Sequence, residues 1–507
     1  MASNIIFKKS GLLKAMSRRV LAGFTLAAVS GIVGTTTIFA QEPKPGPSRQ
    51  VVIPAVKETK LKNGLTVASV QKSNVPLVTV QVLIKTGANV EGESNAGLAN
   101  LTSSLLSKGT KNRTAVQIAE EIGFLGGSIS SNAGWNSSSV TISVTKDKLT
   151  EAMAILSDVV LHPTFPNDEI ELLRTQSLDD LTYGLTQPGF LSSYVSSKFT
   201  YGEHPVGGTP QSIASITRER VLNHYKTNFV PSNAVIIYTG DITAANATKI
   251  SRTLFGQWRS DISKNTESGR TDIKKGDDSN SQRVLVVDLP GSGQASVSYA
   301  KRLNFGRTEY KSPLKGASSS SYFPSSVLNS VLGGGYSSRL NQEIRIKRGL
   351  SYGAGSSIAW RPSFANFSTR TQTKNESAAE VAELVMLELT KLRQENISDS
   401  ELVPRKLALT GGFGRDIETN GGLLGAIADL YSSDIPASEL NRYMTNVEAV
   451  KVIAIQNVAK DLVSNGDIII VGDYAKFKDD LARRFPNIKP EVISAAELDI
   501  TKPNLRK

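Results

Sequence analysis

The sequence predicts an α+β protein built from two homologous domains in tandem, each a largely antiparallel sheet with helices packed on it. Three observations carry this expectation. The run "VIIYTGDITAANATKISRTLF" at 235–255 returns as "IIIVGDYAKFKDDLARRF" at 468–485, with Gly240-Asp241 matched by Gly472-Asp473. An offset near 232 residues suits a duplicated domain and is too long for a solenoid repeat. Between the copies, "SDISKNTESGRTDIKKGDDSNSQ" at 260–282 is polar, charged and poor in large apolar residues, as a linker is. A chain of 507 residues is also too long for one core, and its 39% hydrophobic content suits ordinary globular packing.

Residues 1–40 read as a secretory signal, with Lys8, Lys9, Lys14, Arg18 and Arg19 ahead of an uncharged run from Val20 to Ala40. A Pro-rich spacer follows at 41–50. The chain is therefore expected to be exported, to a periplasm or lumen. The run at 20–40 is also long enough to span a bilayer if it is never cleaved, which would make it a membrane anchor. "SRRVLAG" at 17–23 partly resembles a twin-arginine export signal. An organellar transit peptide ranks third, because such peptides are amphipathic. Without the five leader cations the formal charge falls from +12 to about +7, and the remaining Lys and Arg are scattered among acids. That describes a solvated surface and excludes the basic stripe of a nucleic-acid binder. There is no cysteine, and His162, His204 and His224 are the only histidines.

The first domain is expected over 51–259. Lys62-Asn63-Gly64 marks a β-hairpin, and "LVTVQVLIKTG" from Leu77 a central strand. A short helix then occupies "NAGLANLTSSLLSKGT", Asn95 to Thr110, with Ser94 or Asn95 as its cap and Gly109 as its stop. The next begins with a capping box from Thr114 to Gln117 and buries Ile118 and Ile122. A strand pair crosses "SISSNAGWNSSSVTISVT", and two helices follow, from about Asp147 and after Phe165-Pro166. "YGEHPVGGTP" at 201–210 reads as a loop, ahead of a helix near Thr217 to Asn228, a strand ending at Asp241, and a helix from Ala244 to Phe255.

The second domain is expected over 283–490, with a tail at 491–507. Its strands fall near Val284 to Asp288 and Ala295 to Ala300, and a helix near Pro324 to Leu332. The Ser-rich piece at 311–324 reads as a loop insertion. "SSRLNQEIRIKRG" predicts a helix capped by Ser337 or Ser338 and stopped at Gly349, with Tyr352 on the strand beyond. Gly333-Gly334-Gly335 lacks the context of a phosphate cradle and reads as a mobile turn.

The candidate chemistry starts on the helix at 95–110. Leu98, Leu101 and Leu105 form one stripe at helical spacing, and Asn100, Ser103, Ser104 and Ser107 form another. The second stripe is a hydroxyl-lined face with no neighbouring base, and no Gly-x-Ser-x-Gly elbow accompanies it. The histidine spacings fit no local metal motif. Read alone, Arg345, Lys347 and Arg348 complement a helix C-terminus.

The frame of these residues resembles the pitrilysin/insulinase family of zinc metallopeptidases, which includes the mitochondrial processing peptidases. The likeness rests on the Lys62-Asn63-Gly64 hairpin, the "GLA" and "LLSKGT" flanks of the helix, His204-Pro205, the two Gly-Asp strand ends and "LGGGYSSRLNQEIRIKRGLSYG". The resemblance implies a clamshell of two domains that holds extended peptide between them. It places a His-x-x-Glu-His zinc motif at 100–104, where this chain has Asn100, Ser103 and Ser104, and a further acidic ligand at Asp180. A serine is neither a good zinc ligand nor a general base at neutral pH, so no metal is expected on this chain. Arg345 and Tyr352 match the pair with which active relatives bind substrate backbone and support the transition state.

The implied function is that of a non-catalytic subunit in a heteromeric metalloendopeptidase. Such a subunit binds peptides or unfolded segments and lends Arg345 and Tyr352 to a homologous partner that carries the zinc. The alternatives are a stand-alone peptide-binding clamshell and a structural protein like the core subunits of respiratory complexes. No activity is expected of the chain alone. No nucleic acid is expected as a partner, and a membrane only through an uncleaved leader.

Overall fold

The structure, a computed structural model, describes residues 51, 53–259, 282–308 and 321–507. The leader at 1–40, the spacer at 41–50, nearly all of the linker at 260–282 and most of the Ser-rich piece at 311–324 lie outside the described residues. The first half opens with β1 (Lys57–Lys60), β2 (Thr66–Gln71), β3 (Leu77–Ile84) and α1 (Leu98–Leu105). There follow α2 (Ala115–Phe124), β4 (Ser128–Ala133), β5 (Ser138–Thr145), α3 (Leu149–Leu161), α4 (Asn167–Gly184) and α5 (Pro188–Phe199). It closes with α6 (Pro210–Ala214), α7 (Arg218–Asn228), β6 (Ala234–Gly240) and α8 (Ala244–Phe255).

The second half runs β7 (Val284–Asp288), β8 (Ala295–Leu303), α9 (Tyr322–Leu332), β9 (Ala354–Trp360), β10 (Ala365–Thr373) and α10 (Ala378–Gln394). Then come α11 (Asp399–Glu418), α12 (Asn420–Ser432), α13 (Tyr443–Glu448), α14 (Val452–Val463), β11 (Asp467–Gly472), α15 (Lys478–Arg484) and β12 (Glu491–Ser494). Among the described residues no helix is long and apolar enough to cross a membrane.

Each half contains a six-stranded sheet, ordered β1-β2-β6-β3-β5-β4 and β12-β7-β11-β8-β10-β9. The echo between 235–255 and 468–485 thus reflects equivalent strands, β6 and β11, each inside its sheet. Pairing is antiparallel except for β2 with β6, β7 with β11 and β7 with β12. The halves differ at one edge. β1 comes from a hairpin, whereas β12 comes from the stretch read as a tail, whose Glu491–Ser494 pairs parallel with β7.

Local chemistry explains several elements. Thr114 and Gln117 form the expected capping box at α2, each side chain bonding the other's backbone N–H. Asn63 in the first hairpin donates to the carbonyls of Phe255 and Trp258, which ties the hairpin to the end of α8. The unbroken apolar runs of β6 and β11 follow from burial on both faces, since every residue of both strands is buried.

What covers the second face is an exchange between the halves. In the first sheet, Val67, Val80, Ile236 and Tyr238 pack on their own helices. Ala68, Val70, Leu83, Val235 and Ile237 meet Leu423, Leu424, Ile427 and Leu430 of α12 from the second half. Reciprocally, Leu285, Val287, Ile469 and Val471 of the second sheet meet Leu191, Tyr194 and Val195 of α5 from the first. No helical signal marks Pro188–Phe199 in the sequence, because its apolar residues sit among serines behind a Pro-Gly start. It is helical because the second sheet buries its Leu191 and Val195.

Candidate functional site

The helix α1 starts one turn later than expected and is capped by neither Ser94 nor Asn95. Its N-cap is Gly97, in the left-handed region at φ +92°, with its Cα side packed on Gly208. Glu91, buried and six residues upstream, accepts the Gly97 N–H at 3.1 Å and also bonds the Ala99 N–H. A carboxyl there meets the orphan donors of the helix N-terminus. Burial nonetheless pushes the Glu91 carboxyl up from 4.5 to about 8, against the lowering pull of the Ala99 and Gly97 amides.

Leu98, Leu101 and Leu105 enter the core as predicted. The hydroxyl-bearing face divides. Asn100 is half-buried, reaches the Ala133 carbonyl at 3.5 Å and lines a cavity, and Ser104 is half-buried. Ser103 is fully buried, and its hydroxyl has no hydrogen-bond partner. Asp180, on α4, is exposed and lines the same cavity as Asn100. An amide, two hydroxyls and one carboxylate do not fit zinc. Among the described residues no three His, Asp, Glu or Cys side chains cluster as a metal site would.

That cavity, of about 500 Å³, is walled by both halves: α4, α5 and the His204-Pro205 loop on one side, and β9 and β10 on the other. Contacts cross it. Arg361 pairs with Glu203 through two hydrogen bonds, at 3.1 and 3.0 Å, and its guanidinium stands 5.0 Å from the Trp135 ring. Trp135 lies 5.0 Å from the His204 ring. Asn136 donates to the Trp360 carbonyl at 3.0 Å, and the Tyr201 hydroxyl to the Phe367 carbonyl at 2.8 Å. The His204 side chain is 9% exposed; its Nε2 has no partner, and its Nδ1 lies 4.0 Å from Glu91 Oε2. His162 ends α3 beside Asp158, 3.4 Å away. His224 is buried in α7, where desolvation lowers it to about 4 and keeps it neutral.

In the second half, Arg345 and Tyr352 meet. The Arg345 guanidinium lies 4.8 Å from the Tyr352 ring and 5.1 Å from that of Tyr336, so it stands between two exposed tyrosines. Tyr352 is 91% exposed and precedes β9, since the strand begins only at Ala354. The helix before it is π-helical over Asn341–Lys347. Neither Ser337 nor Ser338 caps it: Ser337 accepts a hydrogen bond from Arg405, and the Ser338 hydroxyl is buried without a partner. Lys347 and Arg348 both engage the Glu343 carboxylate, whereas Arg345 stands against the two tyrosine rings.

Asn341, buried, holds both turns that flank Arg345. Its amide donates to the Tyr336 carbonyl at 2.6 Å and accepts from the Ala354 N–H at 3.3 Å. The glycine run has a packing role at its first residue. A Cβ on Gly333 would lie 2.2 Å from the Ser356 nitrogen, where the turn abuts β9. Glu91, Trp135, the Glu203–Arg361 pair and Tyr336 escape sequence reasoning; of these only Tyr336, adjoining the glycine run, carries a local signal.

A duplicated α+β clamshell, with a six-stranded sheet and packed helices in each half, defines the class of protein. Two family models match the chain: insulinase (peptidase family M16) over residues 66–183, and the peptidase M16 inactive domain over 215–408. Relatives include an uncharacterized zinc protease of Mycobacterium tuberculosis, 25% identical over 430 residues that cover 83% of this chain and 94% of that one. Another, from Rickettsia felis, is 23% identical over 431 residues, covering 83% and 98%. A peptidase M16 inactive domain from Pseudomonas fluorescens superposes with a TM-score of 0.72 at 23% identity, covering 82% of this chain and 98% of that one. A protease from Helicobacter pylori does so with a TM-score of 0.73 at 19% identity, covering 83% and 100%. The chain belongs to the insulinase, or pitrilysin, family. The inactive-domain model and the zinc protease relatives fit a non-catalytic member.

Proposed function

We propose that this chain is the substrate-holding, non-catalytic subunit of a heteromeric insulinase-like metalloendopeptidase. A homologous partner supplies zinc and the hydrolytic water, and this chain binds extended peptides or unfolded segments and lends Arg345 and Tyr352. The observation that carries the proposal is a contrast within one chain. The helix at the motif position carries Asn100, Ser103 and Ser104, while Arg345, half-buried, stands in contact with Tyr352, which is open to solvent. A guanidinium and a phenol so placed can bind substrate carbonyls and stabilise an oxyanion formed beside a partner's metal. Export to a periplasm or lumen belongs to the same proposal and is tested by fractionation.

Mixing tests the main reading. The purified chain alone should hold no stoichiometric zinc and cleave nothing, and adding a zinc-bearing homologue from the same organism should produce endopeptidase activity. Arg345→Ala and Tyr352→Phe should each lower that activity about tenfold or more, the scale of losing one hydrogen bond to a charged group, ~1.5–3 kcal/mol. Full activity in the mixture with both substitutions would refute the role. A second reading, a stand-alone peptide holder, draws on the cavity that both halves of one chain enclose. Affinity purification that recovers no homologous subunit would favour it.

A further inference from the structure

The groove in front of Arg345 carries two cations and no carboxylate. It occupies about 680 Å³ between the glycine turn, the start of β9 and two arginines, Arg345 and Arg370. No Asp or Glu lines it. Among the described residues neither arginine has a hydrogen-bond or ion-pair partner, whereas Lys347, Arg348, Arg339 and Arg361 each engage a carboxylate. Arg370 stands opposite Gly355 in the β9–β10 register. Directly opposed residues share a face of the sheet, so no side chain on β9 covers it there.

We infer that this groove binds a carboxylate group of the peptide, through the guanidinium edges of Arg345 and Arg370. Stacking decides the geometry. With ring faces of Tyr336 and Tyr352 about 5 Å from the guanidinium, Arg345 keeps its in-plane N–H groups for a ligand. A carboxylate takes that fork bidentately and neutralises charge, while a peptide carbonyl accepts from it without neutralising anything. Two cations without a counter-ion in one groove favour the anionic ligand further. Asn341, which ties the Tyr336 turn to the start of β9, is a positioning residue for this stack. The inference rests on the reading that Arg345 faces peptide, and it names the chemistry selected: an acidic side chain or a free C-terminus.

The two sources separate in one binding experiment on the full chain, without a partner. Three fluorescent extended peptides are compared: one with an internal Glu and an amidated end, one with Gln and an amidated end, and one with Gln and a free carboxylate. The Glu or the free-acid peptide should bind roughly tenfold more tightly than the neutral one at low salt, and the tighter of the two identifies the source. Arg345→Gln combined with Arg370→Gln should erase that difference, so that the three peptides bind the variant alike. Acetate should compete with the anionic peptide, and acetamide at equal ionic strength should not, a test that needs no variant. Equal affinity for all three peptides overturns this inference alone. Binding of none overturns the peptide-holding reading as well.

Discussion

Glu91→Gln gives the most direct test of how α1 is held. In the wild type the carboxyl goes from 4.5 when unfolded to about 8 when folded, through burial. Between these values the folded protein binds more protons than the unfolded chain, so stability falls as pH rises. The contribution is fully present below about pH 4.5 and is lost as pH passes 8. At ~1.4 kcal/mol per tenfold change in proton affinity, the interval corresponds to roughly 5 kcal/mol, an upper figure for a group that accepts two backbone N–H groups. Glutamine removes the titration and one acceptor oxygen, at a cost of ~1 kcal/mol. The variant should therefore be less stable only near and below pH 4.5, and the deficit should reverse between about pH 5 and 6 and level off above pH 8. Buried His224, lowered to about 4, adds stability above its ordinary 6.5 that is lost as pH falls through 4, but it is common to both proteins and cancels. Urea denaturation of both proteins from pH 4 to 9 measures the difference. A constant gap refutes the argument, and a gap that widens with pH would mean that Glu91 holds the helix as an anion.

Two further substitutions probe what positions the site. Gly333→Ala puts a methyl 2.2 Å from the Ser356 nitrogen; it should displace the glycine turn from β9, lower thermal stability by ~2 kcal/mol or more and weaken peptide binding. Ile427→Ala, in α12 against the first sheet, should cost ~2–5 kcal/mol and lower a single unfolding transition. Two separate transitions in calorimetry would contradict the helix exchange as the tie between halves.

Much of the fold is legible where short-range chemistry dominates. Thr114 and Gln117 announce α2 because the two halves of a capping box lie three residues apart. β6 and β11 are visible as apolar β-branched runs whose likeness exposes the duplication. The site is legible only in part. Asn100, Ser103, Ser104 and Asp180 are named by motif position, yet no periodicity tells that Ser103 is sealed in the core while Asn100 and Asp180 face the cavity. Ser94 fits a cap by residue type, but Glu91 reaches the amides first because the Gly97 turn brings it over the helix end.

By itself the sequence determined the duplication and the order of most strands and helices, which depend on residue type and near-neighbour spacing. Only the tertiary structure decided which helix covers which sheet, because α5 and α12 acquire their buried faces from the opposite half. It likewise took β12 from the chain end as the sheet edge and set Arg345 between Tyr336 and Tyr352. It left Arg345 and Arg370 without carboxylates, since which charges meet depends on strand register and on turns that Asn341 joins.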